Sequence, residues 1–174
     1  ISIITICYNS ESTIEDTIKS VIAQDYDDVE YIIIDGLSKD STLDIVNRYK
    51  DGIATVISEK DNGIYDAMNK GVLAATGDVV GILNADDFYA DNSVLSAVAS
   101  KFESTSCEAL YADLVYVDRD DTEKVTRRWI SGEYKKGYFR KGWMPPHPTF
   151  FTTKEAYNTH GIYNTDLRTS ADYE

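Results

Sequence analysis

Four short runs of aliphatic and β-branched residues constrain this chain more than any other feature: residues 1–8 (ISIITICY), 29–35 (VEYIIID), 54–58 (ATVIS) and 79–83 (VVGIL). Three of them are apolar at nearly every position, not at every second one. Such runs fit strands buried on both faces, as in a parallel sheet covered by helices, and not the one-sided strands of an antiparallel sheet. The stretches between them carry apolar residues at helical spacing. Ser12 and Glu15 have the spacing of a capping box, followed by Ile14, Ile18, Val21 and Ile22 on one face. Asp40 or Ser41 can cap a second helix bearing Leu43, Ile45, Val46 and Tyr49. Residues 64–75 predict a third, ended by Gly77 as a left-handed C-terminal glycine, and residues 92–102 a fourth. Strand–helix alternation at this spacing predicts right-handed crossovers, hence an α/β fold with a mainly parallel central sheet and helices on both faces.

The second half is less regular. Residues 109–118 read as a strand, 119–121 as a turn and 125–130 as a strand pairing back, whereas 132–148 has Gly, Pro and aromatic residues without a period and predicts an ordered loop. With no repeat and no linker, one domain is expected, with a nucleotide-binding half (1–103) and a smaller irregular half (104–174). The start at Ile1 without Met, and the stop at Glu174 where a helix should begin, predict that the natural chain continues.

Charge narrows the partners. The net charge of −13 argues against nonspecific nucleic-acid binding. The stretch 124–154 is the exception, with eight basic residues against Glu133 alone, as expected of a face that meets phosphate on a ligand or a membrane. No apolar stretch approaches the roughly 18–20 residues that span a bilayer. Cys7 and Cys107 form neither a disulfide framework nor a metal spacing, and no N-x-S/T sequon occurs. A cytoplasmic setting follows, with peripheral contact at the inner membrane face.

In a doubly wound sheet, ligands gather beyond the carboxyl ends of the strands. There this sequence puts Tyr8-Asn9, Asp35-Gly36, Glu59-Lys60-Asp61-Asn62-Gly63 and Asn84-Ala85-Asp86-Asp87. Converging carboxylates repel unless a cation joins them. Mg²⁺ or Mn²⁺, completing its shell with substrate phosphates, fits that inventory. The glycine-rich loops of dinucleotide-binding and P-loop proteins are absent, as is the G-x-S-x-G elbow of serine hydrolases.

The blocks ISIITICYN, IIIDGLSKDST, SEKDNGIYDAMNKGVLAATGD and VVGILNADDFY, in this order, together with HPTFF (147–151) and TSADYE (169–174), resemble the family 2 inverting glycosyltransferases of the GT-A fold. The nearest resemblance is to bacterial enzymes of exopolysaccharide and colanic-acid assembly. It implies a nucleotide-sugar donor (UDP-, GDP- or dTDP-linked), a sugar or lipid-linked saccharide acceptor, and a divalent cation. Position by position, it implies that Thr5, Cys7, Tyr8, Asn9, Glu11 and Asp35 hold base and ribose. Asp61, Asn62 and Gly63 match the loop over the nucleotide, and Asn69 a residue that supports the site. Asn84-Ala85-Asp86 matches the Asp-x-Asp motif, with Asp86 as metal ligand and Asp87 and His147 as further candidates. Asp172 matches the catalytic base. Arg140, Lys141 or His147 would add donors to the leaving phosphate. The chain departs from the pattern at Ile6, where a proline is usual, at Asn84, where an aspartate is usual, and at Ala171, where a glutamate is usual. Two other functions share these features: a nucleotidyltransferase making the sugar nucleotide, which should carry a basic glycine-rich loop after the first strand, and a non-catalytic nucleotide- or carbohydrate-binding relic.

Overall fold

The computed structural model describes residues 1–167 and 169–171. The apolar runs form β1 (Ser2–Cys7), β2 (Glu30–Asp35), β3 (Thr55–Ser58) and β4 (Val79–Asn84), all parallel. They alternate with α1 (Ile14–Ile22), α2 (Thr42–Arg48), α3 (Ile64–Ala74) and, after β4, α4 (Val94–Ser104). Two short strands, β5 (Ala109–Leu110) and β8 (Phe151–Thr153), extend the sheet, while β6 (Leu114–Val117) and β7 (Val125–Trp129) form a separate antiparallel hairpin. Helix α5 (Lys154–His160) follows β8. The six-stranded sheet has the order β3-β2-β1-β4-β8-β5, with β8 antiparallel to both neighbours. The second half of the chain thus contributes two strands to the sheet begun by the first.

Both faces of this sheet are covered, which is why its strands are apolar without alternation. Ile3, Tyr31, Ile33 and Leu83 pack with Ile14, Ile18 and Val21 of α1, Ile45 and Val46 of α2, and Leu95 and Val98 of α4. The residues of opposite parity, Ile4, Ile6, Ile32, Ile34, Val80 and Ile82, pack with Tyr65, Met68 and Val72 of α3. Successive strand side chains point to opposite faces, so each run feeds two cores.

Several local expectations are corrected. The capping box does not form: α1 begins after Thr13 without a side-chain cap, and Glu15 instead binds the Tyr49 hydroxyl at 2.5 Å and pairs with Lys19 and Arg48. That bond joins α1 to the end of α2, a tertiary use that outcompetes the local one. Helix α2 begins after Ser41 without a side-chain cap; Asp40, one residue earlier, accepts through its Oδ1 from the Thr42 amide and hydroxyl at 3.0 and 2.5 Å. Gly77 does not end α3. The helix stops at an extended Ala75, and Gly77 is small because a Cβ there would meet the Ser2 backbone nitrogen at 2.9 Å. The expected strand over 109–118 is broken at 111–113, so that its two pieces serve different sheets. The 125–130 strand does pair back, with Leu114 opposite Trp129.

Gly71 sets the distance between α3 and the sheet. A Cβ there would overlap Ile4 Cγ2 and lie 3.2 Å from Ile4 Cδ1 and 3.3 Å from Ile34 Cγ1. Alanine gains about 1 kcal/mol of helix propensity, but overpacking a fixed interface costs about 1–3 kcal/mol. Ile4 Cγ2 sits on the branched carbon of a strand residue and cannot swing away, so the second effect wins. Gly71→Ala should therefore lower the stability to chemical denaturation by up to about 2 kcal/mol, and a raised midpoint would contradict this packing.

Candidate functional site

Strand order reverses at β1, which has β2 on one side and β4 on the other. The crevice of such a sheet lies beyond the carboxyl ends at that reversal. A cleft of about 1190 Å³ opens there, and Cys7, Tyr8, Asn9, Asp61, Gly63, Asn84, Ala85 and Asp86 all line it. Tyr8 is 58% and Phe88 39% exposed, giving the cleft two accessible rings.

The other predicted positions lie off the cleft wall, each for a visible reason. Thr5 has the parity of Ile3 and Cys7, so it points into the α1/α2 core, where its hydroxyl meets the Tyr31 hydroxyl at 3.0 Å. Asp35 is fully buried at the end of β2, in register with Cys7 on one side and Ser58 on the other. Its carboxylate accepts from the Ser38 amide at 3.1 Å and the Ser58 hydroxyl at 2.7 Å, with the Cys7 thiol 3.7 Å away. Burial, with the charge and hydrogen bond of Asp35 added, pushes the Cys7 thiol far above its ordinary range, so it stays protonated. Glu11 accepts from the Ser41 amide at 2.9 Å, and Asn9, in a left-handed conformation (φ 51°), accepts from the Lys39 amide at 2.8 Å. Together they stitch the loop after β1 to the loop after β2.

Asn62 is drawn to Asp66 at 2.9 Å, leaving Asp61 and Gly63 to face the cleft. A Cβ at Gly36 would overlap the Asp61 carboxylate, so the Asp35-Gly36 pair is a point of close approach. Asn69 is buried and clamps the Tyr163 backbone from both sides, its Nδ2 donating to the carbonyl at 2.8 Å and its Oδ1 accepting from the amide at 2.8 Å. His147 opens a helical turn (His147–Thr149) and packs edge-on against Tyr163 at 6.2 Å; neither it nor Arg140 or Lys141 lines the cleft. Asp172 lies outside the described residues. Its neighbour Ala171 is buried in the apolar cluster beneath α3.

The charge in the cleft is one-sided. Asp16, Asp61, Asp86, Asp118 and Asp120 line it, and Arg119 is the one cation among the described lining residues. Asp87 turns inward: burial, reinforced by the charge of Asp86, pushes its carboxyl above the usual range even though Asn84 Nδ2 donates to it at 2.9 Å. Asp86 alone of the pair lines the cleft, and the Oδ1 of Asn84 is buried with no hydrogen-bond partner among the described residues. Three acidic, histidine or cysteine groups do not converge into a cage anywhere among the described residues. One carboxylate plus an unsatisfied amide oxygen instead fits a hard cation that takes most of its shell from water and phosphate.

Several lining residues are not singled out by the motifs. The tip of the β6–β7 hairpin brings Asp118, Arg119 and Asp120 to the cleft, with Asp118 held by Lys124 at 3.0 Å. Thr17 of α1 is buried, and its hydroxyl donates to the Asp87 carbonyl at 2.7 Å, bracing the loop that carries Asp86. Its signal was a hydroxyl on the helix face otherwise formed by Ile14, Ile18 and Val21; the hairpin tip gave none.

A family profile described as glycosyl transferase family 2 matches residues 2–163, almost the whole chain. The chain belongs to glycosyl transferase family 2. Among curated family relatives, an uncharacterized glycosyltransferase of Mycobacterium tuberculosis is 32% identical over 177 residues, covering 100% of this chain and 66% of its own length. A UDP-Glc:alpha-D-GlcNAc-diphosphoundecaprenol beta-1,3-glucosyltransferase of Escherichia coli is 34% identical over 101 residues, covering 56% of this chain and 39% of its own. The chain thus spans no more than about two thirds of these relatives. Among solved structures, S. aureus TarS in complex with UDP-GlcNAc superposes with a TM-score of 0.79 at 20% identity, covering 98% of this chain and 50% of that one. The fold of this family 2 chain is GT-A.

The bonding of Asp35 makes it a structural residue whatever else it does. Asp35→Ala should cost about 1–3 kcal/mol of stability without any nucleotide present, because the Ser38 amide and Ser58 hydroxyl lose their shared acceptor. Denaturation of the ligand-free protein checks this; an unchanged midpoint would mean those bonds contribute nothing.

Proposed function

We propose that this single domain transfers a sugar, with inversion, from a nucleoside diphosphate donor to a hydroxyl acceptor in bacterial surface polysaccharide assembly. The observation that carries the reading is the cleft at the ends of β1 and β4, with Asp86 open to it, in a chain of this family. Residues 1–103 carry most of the donor site, and 104–174 form the acceptor side and lend Arg119 to the donor. The base rests against Tyr8 or Phe88, whose exposed rings are the surfaces in the cleft suited to stacking. The named activity of the E. coli relative supports a lipid-linked saccharide as acceptor.

The diphosphate enters a cleft lined by five carboxylates, so attraction must come from cations. Asp86 and the Asn84 Oδ1 would hold Mg²⁺ or Mn²⁺, which when bound supplies charge neutralisation for the leaving diphosphate. Arg119 adds a second positive group from the hairpin tip. Asp172 is proposed as the base. It accepts the proton of the acceptor hydroxyl as the oxygen bonds to the anomeric carbon, and the donor's carbon–oxygen bond breaks with its electron pair leaving on the diphosphate. Attack opposite the leaving group inverts the configuration.

Nucleoside diphosphate binding should require a divalent cation, and Asp86→Ala should remove that requirement along with most of the affinity. Arg119→Ala should weaken the nucleoside diphosphate about tenfold and leave the nucleoside untouched, as loss of one charge-assisted contact implies. Equal affinity in EDTA and Mn²⁺ would overturn the role of Asp86.

The decisive test of the activity is Asp172→Asn in the full-length protein with a lipid-linked acceptor. Donor affinity should hold while turnover falls by roughly 10²–10⁴, since the amide cannot take the proton. Transfer that survives would remove Asp172 from the mechanism. A wild-type protein that binds donor and never releases diphosphate would favour the binding relic.

A further inference from the structure

The basic stretch 124–154 is not one surface. Lys124 pairs with Asp118, the guanidinium of Arg127 lies 5.2 Å from the Tyr116 ring centre, and Lys154 Nζ donates to the Val72 carbonyl. Arg128 lies apart on the hairpin strand β7. What remains is residues 134–144, which read Tyr-Lys-Lys-Gly-Tyr-Phe-Arg-Lys-Gly-Trp-Met: four cations, four aromatic rings and no acid, in a chain of net charge −13.

This segment is folded around Trp143. The Trp143 ring meets Tyr111 and Phe139 at 5.5 Å, Tyr134 at 5.7 Å and Tyr138 at 6.4 Å. Its indole nitrogen donates to the Ser131 carbonyl at 2.8 Å, fixing the cluster to the body of the protein. Gly137 and Gly142 take left-handed turns (φ 87° and 81°) that let the chain wrap the indole. The outer members stay in solvent: Tyr134 is 50%, Phe139 47% and Met144 37% exposed. Lys135, Lys136, Arg140 and Lys141 are exposed as well, and none pairs with a carboxylate among the described residues. Lys135 and Lys141 lie 6.0 and 5.8 Å from the Tyr138 ring centre.

Exposed rings and unpaired cations on one rigid scaffold need a partner with two properties. It must be anionic, because the rest of the molecule already offers abundant carboxylate and these cations avoid it. It must also accept apolar rings, which polyphosphate does not, and the chain's net charge of −13 disfavours nucleic acid. An anionic bilayer surface has both: aromatic side chains settle at the headgroup boundary, and Lys and Arg meet the lipid phosphates. We propose that residues 134–144 are a docking surface for an anionic lipid bilayer. The remaining negative charge is repelled by the same surface, which fixes the orientation of the docked protein. Among the described residues no helix is long and apolar enough to cross a membrane.

The test is co-sedimentation of the chain, without nucleotide, with vesicles of equal parts phosphatidylglycerol and phosphatidylcholine, and with vesicles of phosphatidylcholine alone. Binding should occur only to the first. Lys135→Glu with Lys136→Glu should weaken it by roughly tenfold or more, given about 1 kcal/mol per cation near the surface. Phe139→Ser should weaken it too, including at salt concentrations that have already removed most of the electrostatic part. Nucleotide affinity of both variants, and thermal melting of the Lys135/Lys136 reversal, should match the wild type, which separates loss of docking from loss of fold or donor site. Equal binding to both vesicle types, or binding indifferent to the Lys135/Lys136 reversal, would overturn the proposal. So would tight binding to soluble polyphosphate, sensitive to the reversal, with no effect of Phe139→Ser on vesicles; that outcome would mark the patch as a site for an acidic polymer.

Discussion

The structure depends on the position of β1, hydrogen-bonded to β2 and β4 and covered by helices on both faces. A strand in that position has no solvent side, so every residue from Ser2 to Cys7 is buried and alternate residues serve two separate cores. Because β2 lies to one side of β1 and β4 to the other, the loops at their carboxyl ends diverge and leave a crevice between them. The backbone needed to make a cleft is therefore a consequence of packing, before any functional side chain is considered.

Around that crevice the polar residues divide into those that hold the loops and those left facing the cleft. Cys7, Asp35 and Ser58 form a row across three strands because the register puts them side by side on one face. Asn9 and Glu11 join two loops, and Thr17, from a helix on the flank, braces the loop after β4. What these bonds leave exposed in the cleft is acidic: Asp61 and Asp86 from the sheet end, with Asp118 and Asp120 from the hairpin. A surplus of negative charge at a cleft costs energy in the empty protein, and it becomes useful when a ligand arrives with cations.

The aromatic and basic cluster at 134–144 follows a different rule from the cleft. It is a compact wrap of turns around one indole, tied to the rest of the protein by the Ser131 bond and ring contacts. Its charge is opposite to that of the chain as a whole, so the two surfaces answer to different partners. In the proposed readings, one receives a small anion carried by cations, and the other an extended anionic surface.

Much of the fold was legible in the sequence, because hydrophobic burial dominates it and leaves its period in the residues: three nearly continuous apolar runs and a weaker fourth, each before a helical pattern, admit few arrangements other than a covered parallel sheet. The strand ends were legible for the same reason, and with them Tyr8, Asp61 and Asp86. Lost were the features set by long-range contact. Glu15 was free to cap a helix until Tyr49 came within 2.5 Å, and Gly77 looked like a helix end until Ser2 approached. The hydrogen bonds of Asp35 to Ser38 and Ser58 were also unreadable, because no spacing along the chain announces who its neighbours in register are. The hairpin tip with Arg119 reaches the cleft through a turn remote in sequence from every motif. Local pattern determined which segments are strands and helices and where the crevice opens; tertiary structure alone decided which polar groups are consumed in holding it and which remain to meet a ligand, because that choice depends on distances between residues far apart in the chain.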